Sequence, residues 1–196
     1  MRCRRLIIPI FFFLFFFASC GEDEEPYPSI LTELADVETD ENGVLRRFTT
    51  DEGKSMSIAN YLDGYQPRAV YRCVCGYVVE DGEALLYQLS GVHILRDSTE
   101  CAVQDPVALV SVWRAGHYVN MQLSPKTQGG SQYWGFSTDS LTGKTAFLSL
   151  HHRQNGDPLA YSTTVYASLP VDSIRCDSIS LSIRTFGGIK TFRFKR

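Results

Sequence analysis

The sequence predicts an all-β chain built from two successive β units. Three observations carry that prediction. Apolar and polar residues alternate with a period of two in one segment after another, turn residues interrupt them at short intervals, and helical periodicity is scarce. The alternation lapses over residues 96–106 (RDSTECAVQDP), which end in Pro106 and divide the chain.

In the first unit, Ile30 to Glu38 reads as a strand, DENG (40–43) as a turn and Val44 to Thr50 as the returning strand. Asp51-Glu52-Gly53 then leads into a third strand near Ser55 to Ala59. The clearest hairpin is RAVYRCVCGYVVEDGEALLYQLSGVHIL. Val70, Arg72, Val74, Gly76 and Val78 share one face and Tyr71, Cys73, Cys75, Tyr77 and Val79 the other, before Asp81-Gly82 turns the chain along Ala84 to Leu95. Five strands within 29–96, loosely connected between the third and fourth, suit a small OB-like barrel. Residues 97–106 are then a linker.

Residues 107–196 restart the pattern. Val107 to Arg114 and Tyr118 to Leu123 flank Ala115-Gly116-His117, and PKTQGG is a loop before Gln132 to Ser137. Thr145 to His152 and Ala160 to Leu169 lie on either side of Asn155-Gly156-Asp157-Pro158. Ile179, Leu181 and Ile183 return through Phe186-Gly187-Gly188 to Phe192 and Phe194. Seven strands at this spacing fit an antiparallel β-sandwich.

The N-terminus has the layout of a signal peptide, residues 1–19. Arg2, Arg4 and Arg5 precede an apolar run from Leu6 to Ala18, which contains Pro9 and falls short of the ~20 residues a membrane-spanning helix needs. Phe17-Ala18-Ser19-Cys20 resembles a bacterial lipobox, which implies cleavage before Cys20 and acylation of that cysteine, with more than one chain for stable anchoring. Residues 20–28 carry Glu22 to Glu25, Pro26 and Pro28, an acidic solvated tether. Acid directly after the cysteine resembles the signal that sends some Gram-negative lipoproteins to the outer face of the outer membrane; a periplasm-facing anchor is the alternative.

Losing residues 1–19 removes three arginines and no acid, which moves the formal charge from −3 to −6. That balance argues against nucleic acid as a partner. Cys73, Cys75, Cys101 and Cys176 could in principle pair in an oxidising envelope. Cys73 and Cys75 run parallel on one strand face, which suits buried thiols better than a mutual bridge, while Cys101 with Cys176 remains an open pairing.

No nucleophile elbow, phosphate loop or zinc spacing is present, so the sequence predicts no catalytic residue, metal or cofactor. His151 and His152 point to opposite faces of a strand and cannot share one metal without a bulge. Four residues are the candidates for binding. Tyr133 and Trp134, beside Gly129-Gly130-Ser131, could stack on sugar rings or grip a protein, with half-burial of Trp134 in the sandwich as the competing reading. His152 and Asp157 could complete a site, or hydrogen-bond within the Gly156-Asp157 loop.

The blocks DPVALVSVWRAGHYVNMQL (105–123), LSLHHRQNGD (148–157) and DSISLSIRTFGGIKTFRFK (177–195) are similar to those of the NigD-like lipoproteins. Trp113 followed by Gly116, Tyr118 and Asn120 carries the resemblance best; His152 with Gly156 and Asp157 is next. Arg153 stands where that pattern usually has Asn or Asp, and His151 where it often has Arg. The resemblance implies an N-terminal OB-like domain, a C-terminal sandwich, lipid anchoring and a role proposed as bacteriocin immunity, with no catalytic residues. The expectation is therefore a non-catalytic, lipid-anchored envelope protein that binds an envelope protein. An accessory glycan-binding role and, behind it, an envelope hydrolase are the alternatives.

Overall fold

Two long, bent strands organise the first unit in the computed structural model, which describes residues 29–98 and 103–195. β1 (Leu31–Thr39) pairs with β2 (Leu45–Thr50) on one side, and β2 pairs in turn with β3 (Ser55–Ser57). On its other side β1 pairs with β4 (Val70–Glu80), which pairs with β5 (Glu83–Gly91), giving the order β3-β2-β1-β4-β5. Register shifts at Glu38/Thr39 and Gly76/Tyr77 bend the long strands. The two edges meet at a single parallel bridge, Ile58 to Ala84. This is an OB-like order, with the barrel left open where a full ladder would close it. Asp81 and Gly82 both take positive φ, the conformation a two-residue hairpin turn requires. Ala35, Val37, Phe48, Cys73, Cys75 and Tyr77 fill the interior, as the alternation in β4 predicts.

The second unit is a sandwich of two four-stranded sheets. β6 (His93–Ile94), β7 (Ala108–Ala115), β8 (Tyr118–Ser124) and β13 (Val165–Pro170) form one, in the order β6-β13-β8-β7. β10 (Tyr133–Thr142), β11 (Thr145–Arg153), β14 (Ser178–Thr185) and β15 (Gly188–Lys195) form the other, in chain order. β9 (Lys126–Thr127) and β12 (Tyr161–Ser162) make a small ribbon at one end. Val119, Met121, Leu123, Leu148, Leu169, Leu181 and Ile183 are fully buried between the sheets. Burying each such side chain contributes about 1.5–3 kcal/mol.

Four predicted details change. The expected Ala84–Leu95 strand breaks after Gly91: His93 and Ile94 pair in parallel with β13, and Leu95 enters the sandwich core. The unit boundary thus falls before His93. Residues of the expected 97–106 linker lie on the sandwich edges, with Ser98 N donating to Phe136 O and Asp105 N to His152 O. Ala160–Leu169 likewise splits into β12 and β13. The sandwich also contains parallel pairs, β11 with β14 and β13 with β6, where purely antiparallel sheets were expected. Pairing partners far apart in sequence leave no trace in the alternation.

Candidate functional site: a cleft between barrel and sandwich

Trp134, His152 and Asp157 come together at one end of the sandwich, as an internal clamp. Four donors converge on the Asp157 carboxylate: Gln128 N at 2.9 Å, Gly130 N at 3.1 Å, Gln132 Nε2 at 2.9 Å and the Thr127 hydroxyl. A Cβ on Gly130 would stand 2.8 Å from that carboxylate, so the loop closes around it because the residue is glycine. These hydrogen bonds, Thr127 first, hold the Asp157 pKa down at about 2. Gln132 passes the contact on to His152, its Oε1 lying 2.9 Å from Nε2, while the His152 Nδ1 faces the Asp105 carbonyl at 3.2 Å. Trp134 stacks on the His152 ring at 4.2 Å and is 8% exposed. The His152 ring covers one of its faces, which leaves little of the indole to stack on a sugar. Tyr133 is half-buried with the Arg153 guanidinium 5.9 Å from its ring centre.

Because the folded pKa lies below the ordinary carboxylate value of 3.8, the contribution of Asp157 is complete above that pH. It is lost as pH falls toward 2. Hydrogen exchange at the Gln128 and Gly130 amides should therefore accelerate with a midpoint near pH 2 in the wild type. Asp157→Asn should exchange fast throughout. A wild-type midpoint at the ordinary aspartate value would contradict the clamp.

His151 is buried on the outer face of its sheet, with Nε2 3.0 Å from Ser137 Oγ. That hydroxyl also donates to Asp139 Oδ1 at 2.9 Å, so the acid contacts the serine rather than the imidazole. Nδ1 of His151 has no partner among the described residues. The serine, histidine and acid are adjacent without the order a nucleophile needs. Cys73 and Cys75 are buried thiols whose pKa values burial pushes up to about 11 and about 12. Cys176 is a buried free thiol, whereas Cys20 and Cys101 lie outside the described residues.

The larger feature lies between the two units. On β1 and β4 the residues facing away from the barrel interior include Leu34, Asp36, Arg72 and Val74, with Leu34 opposite Val74 and Asp36 opposite Arg72. On the sandwich, Trp113 pairs with Asn120, Asn120 with Ser168, and Gln122 with Tyr166 on the face turned from its core. The two faces meet as a wedge.

Arg72 closes the narrow end. Its side chain is fully buried and grips Asp51 through two 2.7 Å contacts, with Asp36 at 3.3 Å. It also donates to Ser168 Oγ at 3.3 Å and Asn120 Oδ1 at 3.2 Å, and lies 4.1 Å over the Tyr118 ring. Asn120 donates to Asp51 at 2.8 Å, and the Tyr118 hydroxyl to Asp36 at 3.2 Å. One arginine thus joins two barrel carboxylates to three sandwich side chains, and the planar two-pronged geometry suits guanidinium rather than ammonium. Gly116, in the β7–β8 turn, sits so close to the β2–β3 turn that a Cβ would lie 2.6 Å from Asp51 O.

Away from Arg72 the wedge opens into a cleft of about 400 Å³. Leu34 and Val74 line it, buried yet belonging to neither core. Half-buried Trp113, Gln122 and Tyr166 form the sandwich wall, and Asp51 and Glu52 of the β2–β3 turn also line it. A second lobe of about 380 Å³ shares Thr32, Val74 and Tyr166 and continues past Gln88 and Ser90 to His93. The sequence reading missed this site. Arg72 was the available signal: a charge at the centre of a strand with apolar neighbours needs a partner that the strand itself does not supply.

No family profile and no curated protein matches the sequence. Solved structures do. A NigD-like immunity protein from Bacteroides caccae ATCC 43185 is 22% identical, with a TM-score of 0.69 over 86% of this chain and 98% of that one. The chain has a NigD-like fold. A protein of unknown function from Bacteroides vulgatus ATCC 8482 gives 0.65 at 14% identity, over 85% of this chain and 91% of that one. A proposed lipoprotein from Bacteroides fragilis NCTC 9343 gives 0.62 at 10% identity, over 85% and 98%. The expected NigD-like architecture is therefore present. Within the fold, the residues that carry the sequence resemblance (Trp113, Gly116, Tyr118 and Asn120) all lie at the joint or in the cleft beside it.

Proposed function

We propose that the protein is a lipid-anchored envelope protein that works by binding, without catalysis, and that its binding face is the cleft between barrel and sandwich. The observation that carries the reading is the cleft itself. Two units that already possess complete cores meet at one buried arginine and leave Leu34, Val74, Trp113 and Tyr166 around an opening. Ligand sites favour such junctions, where an apolar wall is combined with a few polar groups. Acylation at Cys20 and the acidic tether would hold this cleft at the outer membrane of a Gram-negative cell, facing outward. The neighbour named as an immunity protein and the one named as a lipoprotein fit that placement. In an immunity role the bound partner would be an antagonistic protein met at the envelope.

An accessory glycan-binding role is the second reading. It rests on Trp113 and Tyr166, with Gln122 and Thr32 alongside, rather than on Trp134. Chemical-shift mapping tests the shared claim. Peptide and glycan fractions from culture envelopes, added to isotope-labelled protein, should perturb Leu34, Val74, Trp113, Gln122 and Tyr166 together. Perturbations confined to the 128–132 and 155–158 loops, or none with either fraction, would overturn the assignment.

A further inference from the structure

We infer that the free edge of the sandwich at β15 takes an extended acidic segment of a partner protein as a fifth strand, on the sheet that does not line the cleft. The open ladder is the first ground. β15 pairs with β14 over Gly188–Lys195 without a register shift, and among the described residues no backbone group pairs with its other side. The other long edges are blunted. β7 carries a register shift that leaves Val110 unpaired. β10 carries one between Thr138 and Ser140, and its Phe136 exchanges backbone hydrogen bonds with Arg96 and Ser98. β5 is met at Ala84 and Leu86 by Ala59 and Asn60. A straight strand with unmet backbone groups along one side is a template for another strand.

The side chains select the occupant. Lys190, Arg193 and Lys195 stand exposed on β15 and Arg184 on β14, and none has an ion-pair partner among the described residues. The positive charge belongs to this unit: residues 93–196 carry eleven Lys and Arg against seven Asp and Glu, whereas 29–91 carry five against eleven. Register divides β15 into two faces. Lys190, Phe192 and Phe194 stand opposite Ile183, Leu181 and Ile179 of the core, and Thr191, Arg193 and Lys195 opposite Ser182, Ser180 and Ser178. Phe192 and Phe194 pack on the core yet stay half-buried at its margin. A fifth strand that alternates apolar and acidic residues would cover both rings and set its carboxylates beside Arg193 and Lys195. A second copy suits the edge poorly, because antiparallel pairing of two β15 strands brings Lys190, Arg193 and Lys195 against the same three cations.

The test is hydrogen exchange of the full chain with three synthetic peptides: alternating Glu and Val, alternating Lys and Val, and Glu and Val of equal composition in blocks. The expected result is that only the alternating acidic peptide slows the outward amides of β15, every second one along the strand. Its affinity should fall about tenfold or more in Arg193→Gln/Lys195→Gln, and also with added salt. An unchanged melting temperature separates that loss from misfolding. A proline at the centre of the peptide should abolish the protection, since it removes a ladder donor. Block or Lys/Val peptides that bind as well, binding that leaves the β15 amides unprotected, or no binding at all would overturn the inference. Outward amides already slow in the free chain would overturn it too. Slowing that grows with protein concentration would assign the edge to a second copy, and slowing released by neutralising positions 22–25 would assign it to this chain's own N-terminal acids.

Discussion

Arg72→Met is expected to destabilise the protein by about 3–5 kcal/mol, the range for removing one partner of a buried ion pair. The methionine fills much of the space but leaves Asp51, whose side chain is 12% exposed, with no cation to balance it. Asn120 and Ser168 lose an acceptor role at the same time, and Tyr118 loses the charge above its ring. Arg72→Lys should recover only a part, because ammonium cannot hold both oxygens of Asp51 and still reach the sandwich. Asp51→Asn added to Arg72→Met should recover part of the stability, since it removes the more buried of the two stranded carboxylates, Asp36 being the more exposed. Urea denaturation measures all three. A loss below about 1 kcal/mol for Arg72→Met, the level of an exposed pair, would show that the joint contributes little.

Gly116→Ala is the second large effect and tests the same joint from the backbone side. Gly116 has φ +50, where an L-residue is strained by about 1–2 kcal/mol. Its added Cβ would also press on the carbonyl oxygen of Asp51, a backbone atom that cannot rotate away. Overpacking of that kind adds about 1–3 kcal/mol. Gly143, with φ +60 and nothing within 4 Å of the equivalent Cβ, supplies the control. Gly143→Ala should cost the strain alone, about 1–2 kcal/mol, and Gly116→Ala clearly more. Equal losses would mean that the two turns are free to separate, and that barrel and sandwich are not held together there.

The strands were legible in the sequence because each reports its own exposure. Cys73, Cys75 and Tyr77 alternate into the barrel interior as their spacing implies, and Leu148, Leu150, Leu181 and Ile183 do the same in the sandwich. The pairing was not legible: nothing in Thr145–Ser149 announces a parallel partner in Ser178–Ser182. The candidate residues divide on the same principle. Asp157 and His152 looked functional because polar groups beside glycines in a loop are conspicuous, and the glycine proves to be room for a carboxylate clamp. Trp134 could be read as a stacking platform beside a glycine-rich loop or as half-buried in the sandwich, and its strand position turns it onto His152. The cleft was invisible for a different reason. Its walls, Leu34, Val74, Trp113 and Tyr166, come from four strands of two units, and only the meeting of Arg72 with Asn120 and Ser168 brings them together.

Those walls can be probed before any ligand is known. In the Trp134→Phe protein, Trp113 is the sole tryptophan, and quenching of its emission by neutral acrylamide reads access to the cleft wall. Scaled to free N-acetyltryptophanamide, an open cleft predicts clear quenching of Trp113. Emission that acrylamide does not quench would contradict an open binding cleft between barrel and sandwich.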